Sequence, residues 1–200
     1  MSASRTGVNG VVLRLVLASS SPRRRQLLMQ IGVEPTRIQS PEIDEAPRNG
    51  ELPRVYAERL AAEKAAAVPR ETGECVLAGD TTVAAGRRIL PPAEDDDTVR
   101  ACLTLLSGRR HRVYSGVALI DADGRLRQRV SETIVKFKRL STAEIDAYVA
   151  SGEGRGKAGG YAIQGRAAAL VSFLSGSYTG VVGLPLYETR GLLRSAGFDV

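Results

Sequence analysis

Short apolar runs alternate along this chain with segments whose apolar positions recur every three or four residues, the pattern of strands exchanging with amphipathic helices. Residues 11–18, "VVLRLVLA", form a run of strand length. Ser21 and Pro22 then supply a cap and a first helical residue, Leu27, Leu28 and Ile31 an apolar face, and Gly32 the stop. Residues 53–67 read as a second helix carrying Tyr56, Leu60 and Lys64. Residues 75–78 read as a short buried strand ending at "GDTT", and residues 97–106 as a helix stopped by Gly108. "VYSGVALIDADGRLRQRVSETIVKFKRL" predicts a hairpin, two β-rich arms about the turn Asp123-Gly124. Ser141 and Glu144 are spaced as a capping box opening a short helix that ends at Gly152. A glycine-rich loop, an apolar strand around "AALVSFL" and a turn into a last helix complete the chain. This mixed order predicts an α/β fold on a mixed sheet rather than a regular doubly wound one. Residues 1–10 lack periodicity and predict a disordered tail, leaving residues 11–200 as a single domain.

Composition narrows the function more than the fold. With 43% hydrophobic and 25% charged residues the chain can bury a core. The net charge of +6 would suit a nucleic acid, but all but four of the 28 basic residues are arginines scattered along the chain, and the clustered aromatics that stack on single strands are missing. No nucleic acid is expected as a partner. The apolar run near the N-terminus is broken by Arg14 and too short to span a membrane. Cys75 and Cys102 lie in apolar runs without metal-ligand spacing and read as buried thiols of a reducing, cytoplasmic compartment. His111 stands alone, with no partner for a triad or zinc site, and reads as a strand-edge surface residue.

Four segments carry candidate chemistry. In "LASSSPRRRQLL" the arginines Arg23, Arg24 and Arg25 crowd the helix end that already carries partial positive charge, at a cost of about 0.3–1 kcal/mol each when exposed. An anion bound there by first-turn N–H groups, the serine hydroxyls of residues 19–21 and guanidinium forks would account for them; a solvated basic turn is the alternative. Asp80, directly after an apolar run, could orient a water, act as a general base or hold a metal, or simply cap a turn. "SGEGRGKAGGYAIQG" lets backbone approach a ligand and offers Glu153, Lys157 and Gln164, or is a flexible surface loop. "SPEIDEAP" gathers Glu42, Asp44 and Glu45 as a magnesium contact or a solvated acidic turn. Together the four supply cations for phosphates, carboxylates for metal and water, and an amide for a base edge.

These residues also resemble a known family. "LASSSPRRRQLL", "EIDE", "YAERLAAEKA", "GDTTV", "LSGRRHRVYSGVAL", "SGEGRGKAGGYAIQG" and "GSYTGVVGLPL" fall in the order found in the Maf family of nucleoside triphosphate pyrophosphatases, from Leu15 to the C-terminus. The resemblance implies an elongated mixed sheet flanked by helices, two lobes around a cleft, and a fold similar to the inosine triphosphate pyrophosphatases. It implies a cytoplasmic enzyme, in a family whose members are often homodimers, that hydrolyses a nucleoside triphosphate to the monophosphate and pyrophosphate with a divalent metal, magnesium or manganese. By the family's motifs Asp80 is the proton acceptor, Ser19, Arg23, Arg24, Lys64 and Lys157 bind substrate or phosphate, and Glu45 joins Asp80 at the metal. Arg23, Thr81 and Gln164 match the members that prefer dTTP and UTP. Two positions depart from the pattern: Pro92 stands where many members have a lysine, and Gly156 replaces the aspartate of "DKAG". Both departures thin the charge expected around the phosphates and bear on substrate preference. The alternative function is a nucleotide-binding regulator of cell division with weak or no turnover.

Overall fold

A computed structural model describes residues 12–200. The tail expected over residues 1–10 lies outside the described residues. The elements run β1 (Arg14–Ala18), α1 (Pro22–Gln30), β2 (Arg37–Gln39), α2 (Pro53–Ala66), β3 (Glu74–Ala85), β4 (Arg88–Leu90), α3 (Asp96–Leu106), β5 (Arg110–Ile120), β6 (Leu126–Phe137), α4 (Thr142–Ala150), a 3-10 turn (Arg166–Leu170), β7 (Val171–Ser175), α5 (Tyr178–Val182) and α6 (Leu186–Ser195). The strands form one mixed seven-stranded sheet in the order β2-β1-β3-β5-β6-β7, with β4 also paired to β3. β1 is parallel to β2 and β3, while β3, β5, β6 and β7 run antiparallel in succession.

The hairpin and the capping box form as expected, β5 with β6 and Ser141 with Glu144. Two strand expectations change. The short strand at 75–78 is the first part of β3, which runs twelve residues because the β-branched Thr81, Thr82 and Val83 carry it onward against β5. Asp80 therefore sits inside a strand and is no turn residue. The run "AALVSFL" pairs with β6 only from Val171, since the alanine-rich stretch before it tightens into the 3-10 turn.

Three apolar clusters divide the sheet. Leu15, Leu17, Leu27, Leu28, Leu77 and Leu193 bind α1 and α6 to one face at the β1 end. Val16, Ala18, Ala61, Ala65, Val76 and Ala78 seat α2 on the opposite face. Val83, Val99, Leu103, Val113, Phe137 and Tyr161 form the core beneath α3 and α4 at the far end. Gly116 sets how close α2 lies: a Cβ there would be 2.2 Å from the Ala57 carbonyl oxygen. Gly116 is the register partner of Asp80, so this close approach brings α2 over that carboxylate. Cys75 and Cys102 are free and buried as expected, and burial pushes the Cys75 thiol up to about 11. No helix among the described residues is long and apolar enough to cross a membrane.

Candidate active site

β1 accompanies β3 as far as Ala78, and β4 rejoins the same edge of β3 only at Val83. Between these points β3 pairs with β5 alone, and a cleft opens at this gap, just beyond the carboxyl end of a parallel strand where α/β sheets hold ligands. Its walls include Ser21, Arg23 and Arg24 from the start of α1, Glu45 from the acidic loop, Lys64 from α2, and Asp80 and Thr81 from β3. Pro92, Gly156, Lys157, Tyr161 and Gln164 close the opposite side, with the α5–α6 turn at Val182 and Gly183. Of the residues singled out in the sequence, Arg23, Arg24, Glu45, Lys64, Asp80, Thr81, Lys157 and Gln164 reach this cleft, whereas Ser19, Arg25, Glu42, Asp44 and Glu153 do not.

One wall holds paired charges. Alternation along β3 turns Val76, Ala78, Asp80 and Thr82 toward α2. On α2 the buried residues Ala57, Leu60, Ala61, Lys64 and Ala65 share one stripe, which places the Lys64 ammonium within the packed face. Lys64 Nζ donates to Asp80 Oδ1 and to Glu45 Oε2, both at 2.8 Å. Thr82 Oγ1 donates to the other Asp80 oxygen at 2.9 Å. Asp80, 6% exposed, is thus held at both oxygens while Glu45 remains mostly in solvent. Tyr56 donates its hydroxyl to the Glu45 carbonyl at 2.8 Å, and burial with the Asp80 and Glu45 charges pushes that phenol up to about 12. Of the acidic loop only Glu45 lines the cleft; Asp44 caps its own turn at the Ala46 N–H.

The facing wall holds cations without carboxylates. Arg24 donates Nε–H to the Gly183 carbonyl at 2.9 Å and Nη1–H to Ser19 Oγ at 3.1 Å. Arg23 donates to the Val182 carbonyl at 3.3 Å. Desolvation lowers the pKa of both guanidiniums, most strongly opposed at Arg24 by the Asp80 charge. Lys157 is lowered by burial and by the nearby Arg23 charge. Arg25 instead pairs with Glu34 on the surface. Ser19, buried behind Arg24, receives the Ser21 N–H as well as the guanidinium, so it orients the arginine. Ser21 caps α1 without a side-chain hydrogen bond and lines the cleft, beside the helix end whose first-turn N–H groups lack helical partners.

The glycine-rich loop forms the third side. Glu153 does not line the cleft: its carboxylate accepts the Arg166 N–H at 2.7 Å and latches the loop's two ends together. Pro92 bridges Ala158, and the Gly156 N–H donates to the Ala93 carbonyl at 2.7 Å. The two departures from the family pattern are therefore neighbours, and a missing cation and a missing anion leave the same patch of wall neutral. His111 is corrected outright: it is buried, with Nε2 2.8 Å from the Tyr161 hydroxyl, because β5 turns it to the same face as Val113 and Ser115. Ser21, one of the serines read from the sequence as facing an anion, does line the cleft, whereas Thr82 and Tyr161 were missed as site residues; Thr82 stands two positions from Asp80 on one strand face, a spacing visible in the sequence.

Comparison with known proteins shows the family of the chain. Residues 14–196 match the family described as Maf-like protein. The dTTP/UTP pyrophosphatase of Sphingopyxis alaskensis is 66% identical over 93% of this chain and 98% of its own length. That of Novosphingobium aromaticivorans is 63% identical over 93% of both chains, and that of Mesorhizobium japonicum 58% identical over 95% of both. Among solved structures a HAM1 protein from Coxiella burnetii shares the fold, with a TM-score of 0.50 and 18% identity over 92% of this chain and all of that one. With the match spanning nearly every described residue, the chain belongs to the Maf-like protein family.

Proposed function

We propose that the cleft hydrolyses a nucleoside triphosphate between its α- and β-phosphates, releasing the monophosphate and pyrophosphate. The observation that carries this is a buried carboxylate, Asp80, fixed at both oxygens and near cations with which no carboxylate among the described residues forms an ion pair. Arg23, Arg24, Lys157 and the first turn of α1 would hold the phosphate chain and the charge that develops as it breaks. Asp80 would accept a proton from the attacking water as the water oxygen bonds to the α-phosphorus and the bond to the bridging oxygen breaks, with pyrophosphate leaving. Lys64 and Thr82 keep that carboxylate aimed. The names of the relatives support the same reaction, and a nucleotide sensor without turnover would gain nothing from so constrained a carboxylate.

Glu45 and Asp80 would hold a magnesium or manganese ion. No group of three or more His, Cys, Asp or Glu side chains suited to a metal gathers among the described residues. Two carboxylates fit an ion that takes its other ligands from phosphates and water. When bound, such an ion would supply charge neutralisation at the phosphates. The substrate base is read by Gln164, Thr81 and Arg23, whose donors and acceptors suit the imide edge of thymine or uracil, so dTTP and UTP are the substrates proposed.

The test is a screen of the purified protein with dTTP, UTP, CTP and GTP plus magnesium or manganese, assaying pyrophosphate and orthophosphate separately. Pyrophosphate release, strongest with the pyrimidine substrates and abolished by chelator, is expected. Orthophosphate with a nucleoside diphosphate as the first products would refute the cleavage position, and full activity in excess chelator would refute the metal.

A further inference from the structure

The chain's single histidine is buried in an aromatic cluster that the hydrolytic reaction does not use. His111, 2% exposed, lies with its ring edge-on to Phe137 and Tyr161 at centroid distances of 5.4 and 5.5 Å, and Phe137 meets Tyr161 at 4.9 Å. Nε2 shares a hydrogen bond with the Tyr161 hydroxyl, whereas Nδ1 has no partner. An imidazolium needs two acceptors and finds one, so burial holds the ring neutral, with its pKa lowered to about 4. A buried polar atom left unsatisfied is costly, and apolar residues of similar volume would fill this space without that cost. A histidine placed at such a cost calls for something that the one hydrogen bond does.

What that bond touches is the glycine-rich loop. Tyr161 lies between Lys157 and Gln164, and its ring lines the cleft while its hydroxyl points away to β5. The neighbouring Ala162 N–H donates to the Tyr148 hydroxyl on α4 at 3.0 Å. Gly159 packs with no room for a side chain, since a Cβ there would stand 2.7 Å from Val83 Cγ1. Residues 159–162 are thus pinned from three sides, and Gln164 follows within one short turn closed by the Gly165 N–H to the Ala162 carbonyl. Gln164 itself is exposed, and among the described residues no hydrogen bond fixes its amide; the pinned segment is what sets where the amide begins.

We propose that His111 is a positioning residue for base recognition: its hydrogen bond to Tyr161 fixes residues 161–164, and so the placement of the Gln164 amide that distinguishes one nucleobase from another. Base recognition rests on the nucleotide reading of the cleft, whereas the anchoring of the loop stands apart from it, and the two are separable by experiment.

Three variants, Tyr161→Phe, His111→Gln and His111→Ala, are compared with the natural protein in two measurements. The first is kcat and KM for dTTP and CTP; the second is hydrogen–deuterium exchange of residues 158–165 without nucleotide. Tyr161→Phe keeps the ring and its packing, so the fold survives even if His111→Ala does not. In Tyr161→Phe the loop loses protection about tenfold, as loss of one buried hydrogen bond implies. KM for dTTP rises by a similar factor, kcat moves far less, and the preference for dTTP over CTP shrinks. His111→Gln, whose amide can reach the same hydroxyl, restores part of the preference. Unchanged exchange and unchanged preference in Tyr161→Phe would overturn the proposal and leave His111 a packing residue. If the natural protein hydrolyses no nucleotide, the functional reading fails. The exchange experiment then decides alone, with lost protection upholding the anchor and unchanged protection refuting it.

Discussion

Asp80 and Lys64 neutralise each other across 2.8 Å, while Arg23 and Arg24 on the opposite side of the same cleft meet only carbonyls and a serine hydroxyl. Lys64 and Asp80 are buried and the two arginines half-buried, and burial penalises a charge wherever it lies. In the first, the penalty is offset inside the protein, with Glu45 and Thr82 completing the shell. In the second it is offset only in part, because a carbonyl dipole orients a guanidinium without cancelling its charge; the lowered pKa of Arg24 is the trace of that deficit. A paired wall can hold a carboxylate in one geometry through a reaction. An unpaired wall has its affinity left over for an anion that arrives. The two walls should therefore fail differently when mutated.

The largest effect is expected at the paired wall. Asp80→Asn keeps the shape and the Thr82 contact but cannot take a proton, and turnover should fall about 10²–10⁴-fold in steady-state assays with little change in KM. Near-normal turnover would move the base role to Glu45. Arg24→Ala at the unpaired wall should lower kcat/KM about 10²-fold, with KM bearing a visible share because phosphate oxygens are gripped before as well as during the reaction. If kcat alone fell, the arginine would serve only the transition state and the contrast between the walls would weaken.

Lys64→Met tests the pairing itself. It leaves the Asp80 carboxylate buried beside an alkyl chain, and unfolding by urea should show a loss of about 3 kcal/mol or more, well beyond the effect of an exposed ion pair. The same melt on Arg24→Ala should show a smaller loss, since no buried anion is left behind. Smaller still are the effects on base choice: Gln164→Ala should reduce the dTTP preference over CTP about fivefold in kcat/KM, the scale of one hydrogen bond, while sparing kcat. Pro92→Lys should lower KM for dTTP by a few-fold through added charge near the phosphates. No change would mean that the neutral patch formed by Pro92 and Gly156 is not a defect of this cleft.

Local signals carried much of this architecture. The N-terminus of α1, the Asp123-Gly124 hairpin and the Ser141 capping box depend on residues close in sequence, and they appear where composition and spacing place them. Lys64 was reached only through the family motif, although it recurs in step with Ala57, Leu60 and Ala61 on an apolar stripe, a position few lysines take without a buried partner. What escaped were features made by neighbours distant in the chain. Asp80 follows a glycine and so resembles a turn residue, yet β5 lies alongside and keeps the strand extended past it. His111 looked exposed among arginines, although strand alternation with Val113 marks it as inward-facing. Glu153 offered itself as an acid, but only the fold shows that its carboxylate is consumed in latching the loop.

The division of labour between the walls is tested most directly by binding, with chemistry removed. The affinity of the α,β-methylene analogue of dTTP, whose bridging carbon resists hydrolysis, can be measured by calorimetry for the natural protein, Asp80→Asn and Arg24→Ala. Asp80→Asn should bind the analogue as tightly as the natural protein or more tightly, because a negative charge beside the phosphates is lost while Lys64 keeps its Glu45 partner. Arg24→Ala should lose about tenfold or more in affinity, the scale of a charge-assisted hydrogen bond. Weak binding by Asp80→Asn together with undiminished binding by Arg24→Ala would contradict the account, since the carboxylate wall would then be the one that holds the substrate.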